Sequence, residues 1–162
     1  MASQAAMVGG GLLGATVIGL GSAYAAGAFT VTYDDFLDYA NKNGFEYIGN
    51  KETSNVLEIK KLLDVEQNNS YRGLLKKHWG NMNANDLKET LNPKPTKTSG
   101  EVGTLFPDTG AISQSDEISK FVKGWCESKK DKTVGQDKKW TNESINKALD
   151  WEIFRDICLK SS

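Results

Sequence analysis

Gly9-Gly10-Gly11-Leu12-Leu13-Gly14 has the spacing GxGxxG, and Asp34 stands 20 residues beyond Gly14. In a dinucleotide-binding βαβ unit the first such glycine permits a tight turn and the second lets the backbone approach a pyrophosphate. The third lets a helix pack closely on its strand, and an acid about 20 residues on binds a ribose hydroxyl. Gly9, Gly11, Gly14 and Asp34 are therefore the candidate cofactor-binding set of a small Rossmann-like oxidoreductase, with Ala28 to Thr32 as its second strand. The surrounding sequence fits that chemistry poorly. The first strand would have to come from Ser3 to Val8, which is poor in β-branched residues, and Gly19 and Gly21 would each cost about 1 kcal/mol in a helix in water. A parallel sheet also needs further buried strands rich in Val and Ile, whereas residues 50–92 and 113–160 carry helical periodicity. The dinucleotide enzyme stands as the alternative reading, and the main reading expects no cofactor.

Other chemistry-bearing residues point to structure. His78 is the only histidine, so no histidine cluster can hold a metal, and its place beside Trp79 on an apolar face reads as a packed side chain. Calcium-loop spacing begins at Asp64-x-Glu66-x-Asn68 and at Asp131-x-Thr133, but both lack Gly at the sixth position and Glu at the twelfth. Asp34, Asp35 and Asp38 would share a helix start, where the dipole favours acids. No phosphate loop, serine elbow or zinc spacing follows residue 33. No catalytic residue or metal ligand is assigned on these grounds. Lys129, Lys130, Lys132, Lys138 and Lys139, with Trp140, form a candidate basic patch for an anionic surface, with a solvated loop as the simpler reading. The chain as a whole carries 20 basic against 21 acidic residues, so no nucleic-acid partner is expected.

The elements that must position these residues fall into two parts. Met1 to Tyr33 has no charged side chain, and all 41 charges lie in residues 34–162. Residues 5–31 form an uncharged stretch of 27, longer than the roughly 20 that a helix needs to cross a bilayer, although seven of them are Gly. The division is read as a 1–33 membrane anchor or signal segment followed by a 34–162 helical domain. Membrane lipid is the expected partner of residues 5–31, and Ala15, Gly19, Ala23 and Gly27 recur at the four-residue spacing that lets two membrane helices pair. Ala23-Tyr24-Ala25 offers a signal-peptide cleavage site as an alternative, without the basic residues that should precede it. No Lys or Arg precedes the span and the first after it is Lys42, so the positive-inside rule gives almost no orientation.

The polar domain reads as mainly α, with four to five helices. A short helix follows Asp34 and stops at Gly44, and Phe45 to Ile48 reads as an isolated extended piece. Apolar spacing predicts helices over 53–65 (Val56, Ile59, Leu62, Leu63), 69–81 (Tyr71, Leu74, Leu75, His78, Trp79) and 115–128 (Ile118, Phe121, Val122, Trp125). A last helix over 142–159 is capped by Thr141 and carries Ile145, Leu149, Ile153 and Ile157 on one stripe. Asp86 to Leu91 reads as one further helical segment, and 92–114 as a flexible loop punctuated by Pro and Gly.

Cys126 and Cys158 are the only cysteines. In an oxidising compartment they could pair, and closing a loop of 33 residues would stabilise by about 3–4 kcal/mol on the chain-entropy model. In the cytosol they would be two buried thiols. Simple packing disfavours the bridge: an antiparallel 115–128/142–159 hairpin would leave the cysteines about 24 Å apart, far beyond disulfide reach. A bridge therefore demands parallel or steeply crossed helices.

The Gly/Ala-rich uncharged start, Phe36-Leu37-Asp38-Tyr39 followed by Gly44-Phe45, the Lys-rich helices and Trp125-Cys126 together resemble the short paralogous hypothetical proteins of haemotrophic mycoplasmas. The resemblance covers the layout of the whole chain. It implies a membrane-associated or cell-surface protein without assigned activity, with an interaction or antigenic role and residues 34–162 outside the cell.

Overall fold

The computed structural model describes residues 30–50, 55–66, 70–136 and 138–161. The chain divides into two units, Met1–Val31 and Thr32–Ser162. The expected membrane span, its Ala15, Gly19, Ala23 and Gly27 stripe, and Gly9, Gly11 and Gly14 lie outside the described residues. Among the described residues no helix is long and apolar enough to cross a membrane.

The second unit is mainly helical, as the periodicity predicts. Strand β1 (Thr32–Tyr33) leads into helix α1 (Phe36–Lys42), whose N-terminus is capped by Asp35: its Oδ1 accepts the Asp38 N–H at 2.8 Å. Strand β2 (Phe45–Tyr47) and a 3₁₀ turn over Ile48–Asn50 precede α2 (Asn55–Leu63) and α3 (Tyr71–His78). Ser70 caps α3, and a 3₁₀ turn over Trp79–Asn81 extends it to the length that the sequence predicts. Further along lie α4 (Val102–Leu105), α5 (Ser115–Lys129), β3 (Trp140–Thr141), α6 (Asn142–Asn146), α7 (Leu149–Cys158) and β4 (Leu159–Ser161). A single core of buried aromatic and aliphatic side chains runs through these elements, with Phe36, Trp125, Trp151 and Phe154 among its most enclosed members.

Several expectations need correction. Seven α-helices, not four to five, lie among the described residues. The Asp86 to Leu91 segment is not a helix; the local turn is a 3₁₀ turn over Ala84–Asp86, stabilised by reciprocal bonds between Asn83 and Asp86. The extended piece at Phe45 is not isolated, because β2 pairs antiparallel with β4, Phe45 opposite Ser161 and Tyr47 opposite Leu159. The helix expected over 142–159 is two helices. Thr141 does cap the first, but Lys147 closes it and Ala148 is extended (ψ 124°), so α7 starts on a new axis. The break rotates the stripe: Leu149 is 62% exposed, while Trp151, Ile153, Phe154 and Ile157 face the core.

The 92–114 segment, expected as a flexible loop, holds α4 and packs against the core through Leu105, Phe106 and Ile112. Its start lies directly on α5, where a Cβ added to Gly124 would meet the Pro95 ring at 2.7 Å. Only a glycine permits that approach.

Candidate functional site at the disulfide corner

Cys126 and Cys158 are joined by a disulfide, with Cα atoms 5.6 Å apart. This overturns the separation expected from an antiparallel pair, and the broken helix supplies the reason. Lys129 and Lys132, at and beyond the end of α5, both reach Asp150 at the start of α7 at 2.9 Å, while Cys126 reaches the end of α7. The last turn of α5 therefore runs along α7 from its end towards its start. From Asp150 to Cys158 is about 12 Å of helix rather than the 24 Å of an unbroken one, and extended lysine side chains cover the rest.

Tyr47 stands beside the bridge. The β2 strand carries its side chain inward to stack on Phe154, with ring centroids 6.0 Å apart and planes at 16°. Gly49 makes room for the ring, since a Cβ there would lie 2.4 Å from Tyr47 Cε2. The hydroxyl donates to Glu127 Oε2 at 2.5 Å, and Glu127 pairs with Lys130 at 3.1 Å. Burial, and then the Glu127 carboxylate, push the phenol far above its ordinary range, so Tyr47 stays protonated and acts as a fixed donor. On the other side of β2, Lys160 of β4 pairs with Glu58 of α2 at 3.3 Å.

Two shallow depressions flank Tyr47. One is bordered by Glu46, Ile48, Glu58 and Lys160, the other by Ile48, Gly49, Ile59, Lys123 and Cys126. Each leaves about 10 Å³, room for one water and not for an organic substrate. The corner joins α2, α5, α7 and both strands of the β2–β4 ribbon.

His78 behaves as a packed side chain, as its sequence context predicts, with a partner that no local signal announces. Its Nε2 lies 2.9 Å from Asp156 Oδ2, and Arg155 holds the other carboxylate oxygen through Nε and a terminal nitrogen at 3.0 and 2.9 Å. Burial alone would raise the Asp156 carboxyl; its hydrogen bonds to His78 and Arg155 outweigh this and hold it below the usual carboxylate range. Neither His78 nor Asp156 borders either depression. The pair clamps α3 to α7.

The candidate basic patch is largely neutralised within the domain. Lys129 is buried, pairs with Asp150 at 2.9 Å and with Asp86 at 3.4 Å, and lies over the Trp125 ring. Lys130 pairs with Glu127, Lys132 with Asp150, and Lys139 with Asp34. Trp140 donates its Nε1–H to the Lys132 carbonyl at 2.9 Å, which leaves its ring as core. The early acids are equally engaged: Asp35 caps α1, and Asp38 accepts from the Asp34 backbone and from Lys42, both at 3.0 Å.

For the dinucleotide reading, Asp34 is the one candidate within the described residues, and its carboxylate is taken by Lys139. Thr32, the last residue of the segment expected as a second strand, begins β1, which pairs antiparallel with Trp140–Thr141. Both strand pairs among the described residues are antiparallel. Among those residues, no group of three or more His, Cys, Asp or Glu side chains is placed to hold a metal ion. No protein-family model, curated protein or solved structure matches the chain.

Proposed function

We propose that the protein is a membrane-anchored surface protein whose helical domain works by interaction or antigen presentation, with residues 34–162 on the extracytoplasmic side. The observation that carries this reading is the Cys126–Cys158 bridge, because disulfides persist in oxidising compartments and are rare where thiol buffers keep cysteines reduced. The uncharged residues 5–31 supply the anchor, with membrane lipid as its partner. Their glycine and alanine stripe at Ala15, Gly19, Ala23 and Gly27 offers a face for pairing with a second anchor. Ion-paired lysines and a covalent staple among the described residues suit the display of a surface.

Protease treatment of intact cells, followed by fractionation, tests the reading. The expected outcome is a full-length chain in the membrane fraction whose polar domain is digested from outside. Full-length protein in the soluble fraction with Met1 retained, or a domain protected until lysis, contradicts it.

A further inference from the structure

The bridge is enclosed unequally. Cys158 is fully buried, whereas Cys126 retains slight exposure and borders the depression formed by Ile48, Gly49, Ile59 and Lys123. A thiolate attacks a disulfide sulfur from the side opposite the leaving sulfur. Of the two halves of the bridge, Cys126 is the one that borders the depression and lies nearer solvent. Lys123, one helical turn before Cys126 on α5, adds positive charge at the rim, where the incoming thiolate is negative.

What the bridge secures is also unequal. Cys158 is the last residue of α7, and the next residue begins β4, which is held by its ladder to β2 and by the Lys160–Glu58 pair. Leu159 is buried opposite Tyr47, and Tyr47 is tied to Glu127, the neighbour of Cys126. The bridge is thus the covalent end of one strap, Leu159–Ser161, which covers the β2 edge and is otherwise held by the ladder and the ion pair.

We propose that Cys126–Cys158 is a releasable latch on this strap, opened by a small-molecule thiol that attacks the Cys126 sulfur. The proposal rests on the surface reading to the extent that an oxidising compartment must form the bridge first. In the first step the thiolate forms a sulfur–sulfur bond to Cys126, the Cys126–Cys158 bond breaks, and Cys158 departs with the electron pair and takes up a proton. A second thiolate attacks the sulfur of the thiol now bound to Cys126, releasing Cys126 as a thiolate. The two small thiols leave as their disulfide, oxidised by two electrons, and the protein gains two thiols. The depression at Cys126 admits one water while β4 is docked, and Cys158 leaves into a buried site, so the thiol reaches the bridge as the strap opens and exchange is coupled to that opening.

The test uses the full-length chain, with reduced glutathione as the probe, acid quenching at intervals, and mapping of the modified peptides by mass spectrometry. The expected first product carries glutathione on Cys126 with Cys158 free. Amide exchange at Phe45–Tyr47 and Leu159–Ser161 then accelerates at least ~10-fold while α2 and α3 stay protected. Lys123→Glu should slow the first step severalfold without shifting Tm. Glutathione on Cys158, or reduction that occurs only as protection is lost throughout the domain, overturns the proposal. A bridge that exchanges as described in a domain protected from protease on intact cells leaves the latch standing and removes the surface reading. A shaved domain whose bridge resists glutathione until global unfolding does the reverse.

Discussion

The two ends of α7 are fastened to α5 by different physics. At its start, Asp150 receives Lys129 and Lys132, with Asp86 and Trp125 completing a network around the Lys129 ammonium. At its end, the fastening is covalent. Charge ties lose most of their value in solvent and respond to pH and salt, whereas a disulfide responds to thiols and acts chiefly on the unfolded chain. The same helix pair thus carries one attachment sensitive to protons and one sensitive to electrons.

The comparison can be broken first at Trp151 in the first turn of α7, whose ring takes part in neither fastening. Trp151 is enclosed by Phe36, Tyr39 and Phe154, with ring centroids 4.8–6.0 Å away. Trp151→Ala should cost about 3–5 kcal/mol in urea denaturation, more than loss of either end. Next in size, replacing both cysteines with Ala should cost about 3–4 kcal/mol if the chain-entropy account holds, whereas a loss below about 1 kcal/mol would mean the bridge adds little to this fold.

Lys129→Met strikes the other end. It leaves Asp86 without its ammonium and Asp150 with Lys132 alone, and should cost about 2 kcal/mol, less than full breakage of a buried pair. A neutral result would mean that the network is a solvated surface cluster.

A smaller effect separates the two ends by pH. Burial raises the Asp150 and Asp156 carboxyls, but Lys129 and Lys132 on the first, and His78 and Arg155 on the second, hold both below the usual range. A group depressed in the folded state adds stability above its unfolded pKa and loses it as pH falls through the folded one. The cost of Asp156→Asn should therefore be full near neutrality and shrink below about pH 4, read by urea midpoints at several pH values. A cost that is constant with pH would show that His78 and Arg155 do not favour the ionised form. Smallest of all, Lys147→Ala removes only the exposed pair to Glu143 and should leave Tm unchanged.

How much of this was legible in the sequence follows from range. Helices α2, α3 and α5 repeat their apolar residues at three- and four-residue intervals, and Thr141 caps α6 by chemistry confined to four residues. The break at Lys147–Ala148 carries no Pro or Gly, so the stripe from Ile145 through Leu149 reads as continuous although Leu149 ends in solvent. That one hidden turn also concealed the disulfide, since an unbroken helix puts Cys158 out of reach. Pairings across most of the chain left no trace: β2 with β4, and His78 with Asp156 78 residues away. Tyr47 and Glu127, 80 residues apart, are two ordinary polar residues until the corner brings them together. Gly49, which admits the Tyr47 ring, was the nearest thing to a local clue.

The central claim, that α5 and α7 are covalently joined in a domain held in an oxidising place, is tested most directly on protein alkylated in intact cells before lysis. Non-reducing peptide mapping should then find both cysteines unlabelled and a single Cys126–Cys158 cross-linked peptide. Recovery of Cys126 and Cys158 as separate alkylated peptides, without any reductant, would contradict the account.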